Sequence, residues 1–468
     1  MEGMMKVCVL TGKKTLEWRE YPIPQPRKGE LQIKLEYVGV CGSDLHFYQE
    51  GQLANWTLDG PLALGHEPGG VVTALGEGVT DFQIGDRVSI EPAVPCGNCE
   101  DCRKGNYNLC KNIQMLAIPG ERDGVNAEYC VHDASMCYKL PDNMTTLEGA
   151  MIEPLAVGMH GTELSNAKLG ETAIVLGSGC IGLCTVMSLK ARGVSEIYVA
   201  DVMDKRLEKA LEVGATRVFN SQRESIEEFA KTLPGGGVDQ VYECAGNRVT
   251  TLQSCRLIRR GGKVTLTGVS PEPVLELDIA TLNAMEGTLY SVYRYRNLWP
   301  KAIAAVSSGL IPLKNIVSHE FDFKDCIEAI DYSLNHKDEV IKAVFLASLI
   351  GIVLGGINGF FIAYFKVTPF IVTLATMQIY KGIVYVITKG MPITGMPEAA
   401  ESLANGVIGG ILPNIVIIMI VICLLLTLML KRTKLGRYIY ALGGNRNCAK
   451  IVGIPTVHCL ARDVFVRG

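Results

Sequence analysis

The chain reads as an α/β protein: a doubly wound parallel sheet joined to an irregular β-rich domain, followed by an apolar helical segment. Three observations carry that reading. The apolar strand Thr172–Leu176 runs into Gly177-Ser178-Gly179-Cys180-Ile181-Gly182 and then an apolar helix, which is how such a sheet begins. Four cysteines, at positions 96, 99, 102 and 110, crowd into one loop-like stretch. After Phe345 charge almost vanishes from the sequence.

The start of the chain, Met1 to Trp18, has no apolar stretch of the secretory kind. The 16 cysteines of these 468 residues are therefore expected in a reducing, cytoplasmic setting. Cys8, Cys180, Cys184 and Cys244 stand in apolar patterns, as buried thiols do. Cys96, Cys99, Cys102 and Cys110 are different: their C-x2-C-x2-C-x7-C spacing lets four thiolates converge on one tetrahedral Zn²⁺ at about 2.3 Å each. Four sulfurs close that site to substrate, so this ion is structural.

A catalytic ion needs three protein ligands of mixed type and one open position. Cys41 in V-G-V-C-G-S-D-L-H, and His66 with Glu67 in L-G-H-E-P-G-G, supply candidates upstream of the cysteine loop. Glu153 in M-I-E-P-L-A-V-G supplies another downstream. Cys41, His66 and one of the two glutamates would complete a site, and the residues leave the choice of carboxylate open. Two zinc ions per chain are expected.

Pro141-Asp142-Asn143 then breaks the chain ahead of the crossing helices. In the parallel sheet, Gly177, Gly179 and Gly182 permit a tight turn and bring a pyrophosphate to a helix N-terminus. The next strand, Glu196 to Ala200, ends at Asp201, 19 residues past Gly182. A carboxylate there accepts hydrogen bonds from ribose hydroxyls and repels a 2′-phosphate, so NAD is expected over NADP. Arg206 joins these as a cofactor-binding candidate. Gly235-Gly236-Gly237 ends a helix before the strand Val238 to Glu243, and the apolar run Val340 to Phe345 is the last strand expected.

C-G-S-D-x-H, G-H-E, G-D-R-V, E-P-L-A-V-G and V-Y-R-Y together resemble the zinc-dependent medium-chain dehydrogenases, most closely the sorbitol (L-iditol) and xylitol dehydrogenases, over about residues 5–345. The resemblance implies a GroES-like catalytic domain at 1–155, completed by 293–345, around a Rossmann NAD-binding domain at 156–292. It implies Cys41, His66 and Glu67 as zinc ligands, with Glu153 reaching the metal through water or directly. It further implies oxidation of a secondary hydroxyl of a polyol to a ketose, with hydride transfer to NAD. Ser43, two residues after Cys41, can contact the reacting hydroxyl, and His46 can pass its proton on. Arg294 and Tyr295 match the pair that such enzymes place against the polyol, and Arg296 close by is a competing candidate. Relatives of this kind are commonly tetramers. Butanediol and threonine dehydrogenases share the metal and NAD motifs and stand as alternatives.

From Leu346 to Leu430 only five of 85 residues are charged. Ala343 to Phe365 is a charge-free run of 23 and Gly406 to Leu430 one of 25, each longer than the roughly 20 residues that cross a hydrocarbon core. F-I-V-T-L-A-T-M-Q-I-Y-K-G, G-M-P-I-T-G and L-G-R-Y-I-Y-A-L-G-G-N resemble a fragment of the permease subunit of ribose-type sugar transporters, over about residues 346–455. Membrane association is therefore expected through residues 346–430. Residues 346–468 carry a net charge of +8 and residues 1–345 a net of −11. The basic residues after the last span place that end in the cytoplasm. A transport component bearing a non-catalytic dehydrogenase-like domain is the reading from another class, but the chain has no G-x-x-x-x-G-K-[ST] of an ATPase. The acidic first part, without an aromatic-interleaved basic patch, excludes a nucleic-acid partner.

Overall fold

A computed structural model of the chain describes residues 3–53, 56–270, 272 and 274–346, and beyond them the two short strands Val407–Ile408 and Leu412–Pro413, paired antiparallel. The chain divides into two compact units, Met1–Ser348 and Leu349–Gly468.

Two large sheets dominate the first unit. In Glu30–Gly39 the apolar residues alternate with polar ones, and Leu31, Ile33 and Leu35 are buried along one face. This strand is the spine of a seven-stranded sheet. Glu67–Leu75 and Ala343–Leu346 pair antiparallel on its two sides, and Tyr129–Asp133 joins it as well. Arg87–Ile90 and Cys137–Lys139 extend the sheet at one end, and His319–Asp322 lies parallel to Ala343–Leu346 at the other.

The second sheet has six strands, all parallel, in the order Arg217–Asn220, Glu196–Asp201, Thr172–Leu176, Val238–Glu243, Ile258–Leu266, Thr288–Ser291. The first three in sequence run outward one way and the last three the other, so the switch point falls beside Thr172–Leu176. Strands Thr172–Leu176 and Val238–Glu243 stand where the apolar runs predict them. The glycine run before the latter is a short turn with Gly235 and Gly236 at φ 83° and 74°.

Between the sheets lies the helix Thr146–Leu164. It opens on a capping box, with Thr145 and Glu148 exchanging side-chain-to-backbone bonds of 2.8 and 3.2 Å. Its residues are buried on most sides because it packs on strand Glu67–Leu75 and on helix Cys180–Ala191 at once. The chain passes through the parallel sheet and returns to the first sheet at Ala343–Leu346.

That last strand begins three residues later than the apolar run suggests. The Ser318 hydroxyl takes the backbone N–H groups of Ile341 and Lys342, at 3.0 and 3.1 Å, so ladder pairing starts only at Ala343. Ala343, Val344 and Phe345 are 1%, 0% and 2% exposed in the sheet, so the apolar run that opens at Ala343 starts as core strand and not as a membrane span. The remainder of both expected spans lies outside the described residues, apart from the two short strands. Among the described residues no helix is long and apolar enough to cross a membrane.

Trp299 fixes the seam beneath the site. It is fully buried, donates from Nε1 to Ser89 Oγ at 2.9 Å, and lies 5.0 Å from the ring of Tyr295. Trp299→Ala is expected to cost about 3–5 kcal/mol, the usual cost of emptying a buried aromatic site. Urea unfolding followed by circular dichroism measures it.

Candidate active site

Cys41 sits at the N-cap of helix Gly42–Glu50, and its backbone N–H donates to Asp44 Oδ2 at 3.0 Å. Asp44 is 2% exposed, and its other oxygen accepts from Gly65 N at 3.1 Å and lies 3.5 Å from His66 Nδ1. The helix start thus places Cys41 and, through Asp44, orients the imidazole so that Nε2 is left for a metal. Burial opposes a charge on His66, but Asp44 and Cys41 outweigh it and hold its pKa well above the usual value. Since a metal ligand must be the neutral imidazole, binding an ion here displaces a proton.

Glu67 is wholly buried at the first position of its strand, opposite Gly39. A side chain at Gly39 would collide with it: a Cβ would fall 1.9 Å from Glu67 Oε2. Lys342, itself 3% exposed, donates to Glu67 Oε1 at 2.6 Å and to Val40 O at 3.0 Å. Burial pulls the Lys342 ammonium down, but Glu67, Cys180 and Cys41 hold it above its ordinary value. Nζ lies 2.5 Å from Glu67 Oε2 as well, yet that oxygen has no hydrogen bond of acceptable geometry. Cys41, His66 and Glu67 offer ligand atoms within 4.8 Å of one another. One sulfur, one nitrogen and one carboxylate oxygen fit a catalytic zinc.

Glu153 is not in that group. It stands on the helix Thr146–Leu164 with its Oε1 accepting from Tyr295 Oη at 2.7 Å. Burial pushes its carboxyl up to about 7, with Glu67 adding to the effect and His66 and Tyr295 opposing it. Tyr295 is 2% exposed, so its hydroxyl serves Glu153 and presents no open surface. Arg294 differs: its Nη1 is buried without a hydrogen-bond partner among the described residues, and its guanidinium lies 5.1 Å from the Tyr293 ring. Arg296 donates to Asn108 Oδ1 at 3.0 Å, which gives it a structural task. Ser43 and His46 lie half-buried on helix Gly42–Glu50. Burial and Lys337 lower the His46 pKa, against Glu50, so the ring is neutral at pH 7.

The four cysteines of the loop also converge, with ligand atoms inside 4.8 Å and no disulfide. The backbone N–H groups of Asn98 and Cys99 draw the Cys96 thiol down to about 6, which favours the thiolate a metal needs. Four thiols in this array fit a closed zinc site.

At the parallel sheet, Gly177 adopts φ 93°, and a Cβ at Gly182 would fall 1.9 Å from Gly177 O, so the turn tolerates glycine alone at both places. Asp201 ends its strand as expected, but its oxygens already accept four bonds: from Ser178 N (2.7 Å) and Oγ (3.0 Å), Val202 N (2.7 Å) and Met203 N (3.0 Å). In this conformation Asp201 braces the glycine turn. Arg206 donates to Lys337 O at 2.5 Å and keeps a buried Nε without a partner. A single cleft is lined by Cys41, His46 and Glu67 on one side and by Gly179, Cys180 and Arg206 on the other.

Three residues of this arrangement escape a reading of the sequence. Asp44 sits inside C-G-S-D-L-H and its position three after Cys41 is a capping signal, yet nothing local announces the bond to residue 65. Lys342 is detectable only as a lone charge in an apolar strand. Asn108 carries no local signal at all.

Family comparisons agree with this geometry. Residues 27–142 match the alcohol dehydrogenase GroES-like domain, and residues 180–308 the zinc-binding dehydrogenase model. Residues 301–460 match the permease component of branched-chain amino acid transport systems, so that match begins inside the first unit. The zinc-type alcohol dehydrogenase-like protein YdjJ of Escherichia coli is 42% identical over 327 residues, covering 69% of this chain and 93% of that protein. Sorbitol dehydrogenase of Bacillus subtilis is 35% identical over 341 residues, 73% of this chain and 96% of that protein. The solved structure of an alcohol dehydrogenase from E. coli CFT073 with NADH is 31% identical, with a TM-score of 0.68, and covers 73% of this chain and 99% of its own. Zinc and NAD fit the residues that the fold brings together. Identity at this level, over nearly the full length of these relatives, means that the chain belongs to the zinc-dependent medium-chain alcohol and polyol dehydrogenases.

Proposed function

We propose that this protein oxidises a secondary hydroxyl of a polyol of the sorbitol or xylitol type to a ketose, with NAD as hydride acceptor. The observation that carries the reading is the shared cleft, which Cys41 and Glu67 of the Cys41–His66–Glu67 group line together with Gly179 of the glycine turn. Cys41, His66 and Glu67 hold the catalytic ion, and Cys96, Cys99, Cys102 and Cys110 the structural one. When bound, zinc acidifies a substrate hydroxyl and NAD accepts the hydride. The chain does the rest. Asp44 holds His66 in its ligating tautomer, and Glu153, fixed by Tyr295, sets the charge beside the ligands. Ser43 contacts the reacting hydroxyl, and neutral His46 carries its proton toward solvent. Gly177, Gly179, Gly182, Asp201 and Arg206 seat the dinucleotide. Arg294 binds the polyol, a role supported by its unpaired buried nitrogen.

The catalytic part is cytoplasmic in this proposal, a homo-oligomer of tetrameric type, and attached to the membrane through residues 346–430. The permease-model match at 301–460 supports the attachment. Recovery of the 50.8 kDa chain in the supernatant of carbonate-washed membranes would refute it.

Zinc-loaded protein is expected to reduce NAD⁺ with sorbitol or xylitol in preference to 2,3-butanediol or threonine, followed at the NADH absorbance. Cys41→Ser abolishes that turnover, and His46→Gln lowers kcat by about 100-fold, the low end for a proton-transfer group. Butanediol or threonine as the better substrate would overturn the polyol assignment. Asp44→Asn is expected to weaken the catalytic zinc by about 10–100-fold, as loss of a carboxylate behind a ligating histidine does. Chelator competition reads this directly, with the second zinc as internal control.

A further inference from the structure

Residues 293–297 are held from outside. Asn108 is 2% exposed, yet both ends of its amide are used on this segment. Its Nδ2 donates to Tyr293 O at 2.9 Å, and its Oδ1 accepts from Arg296 Nη1 at 3.0 Å. Next to it, Tyr107 Oη accepts from Asn297 N at 2.6 Å, and Asn297 Nδ2 donates to Gly105 O at 3.0 Å. All four bonds come from the cysteine loop, between Cys102 and Cys110. They straddle Arg294 and Tyr295.

The segment needs such holding. Arg294 and Asn297 lie at φ 55° and 56°, the left-handed region that an arginine enters only when its surroundings impose it. The Arg294 guanidinium carries a buried Nη1 with no partner, so the strain keeps a donor free. The next residue, Tyr295, bonds Glu153 beside the Cys41–His66–Glu67 group.

We propose that Asn108 is a positioning residue for Arg294, so that the cysteine loop sets the affinity for a substrate's additional hydroxyls. The proposal rests on the polyol reading above. An arginine held this way pairs with the further hydroxyls of a polyol and finds no partner on an alcohol with one, so it favours the longer substrate.

The test compares sorbitol with 2-propanol in the full chain, wild type and Asn108→Ala. The ratio of kcat/KM for sorbitol to kcat/KM for 2-propanol is expected to fall at least about tenfold, through KM for sorbitol. Turnover of 2-propanol and NADH affinity by fluorescence should be unchanged. An unchanged ratio, whether both alcohols suffer equally or neither does, overturns the proposal, because general damage to the loop affects both. Should the alanine variant not fold, Asn108→Asp keeps the acceptor for Arg296 and loses the donor to Tyr293. It is read by the same ratio: a fall supports the proposal and no change overturns it. Wild-type turnover of 2-propanol without any turnover of sorbitol overturns the polyol reading itself, a result visible before any variant is made.

Discussion

The buried pair Glu67–Lys342 is the constraint on which the first unit depends. Neither side chain has water to charge against: Glu67 is 0% and Lys342 3% exposed. An unpaired ion in such a place costs several kcal/mol, and each is tolerable only opposite the other. They are 275 residues apart, with the whole parallel sheet between them. The lysine reaches Glu67 only when Ala343–Leu346 lies against Glu30–Gly39 in its observed register, with Val344 opposite Gly39. A slip by one residue would turn the flanking apolar side chains out of the core. The same pair sits at the metal group, so the contact that closes the fold also sets the charge at the chemistry.

Features written in a few adjacent residues are legible in this sequence, and features made by distant ones are not. The four-cysteine loop and the glycine turn declare themselves because their residues need only short chain segments to meet. Strand Thr172–Leu176 is plain from its apolar run and the turn after it. The candidate ligands are legible as a set, although Cys41 and His66 depend on the fold to meet. Glu67 and Glu153 are told apart by their partners, Lys342 and Tyr295, each far along the chain. Asp201 shows the limit from the other side. Its position is predictable to the residue, but its four local bonds to the turn are not.

A polar seam joins the two metal groups. Glu91 is fully buried, and its carboxyl is pushed up to about 7 by burial, against donors from Tyr107 and Tyr138 at 2.8 and 3.1 Å. Glu153 repeats the arrangement with Tyr295 and is raised to the same range. The two carboxyls repel each other across the seam. Tyrosine suits both because its hydroxyl donates a hydrogen bond without adding charge, in a region where two acids already compete with zinc-binding thiols for the field. Tyr107 belongs to both systems: it donates to Glu91 and accepts from Asn297. The cysteine loop is thereby tied to the segment that carries Arg294 and Tyr295.

The sheet also bears on what the apolar tail can be. The permease-model match starts at residue 301, yet residues from there to Leu346 are committed elsewhere. Helix Trp299–Ser307 buries Trp299, Ala302, Ile303 and Val306, and strands His319–Asp322 and Ala343–Leu346 pair with each other and with Glu30–Gly39. These segments cannot serve two folds at once, because taking them into a membrane would expose the Glu67 carboxylate and unpair the central strand. Any permease-like structure must therefore begin after Leu346. The dehydrogenase sheet, for its part, has both neighbours of its last strand in place before that residue. Among the described residues, those up to Leu346 suffice to bury Lys342 and to bring Cys41, His66 and Glu67 together.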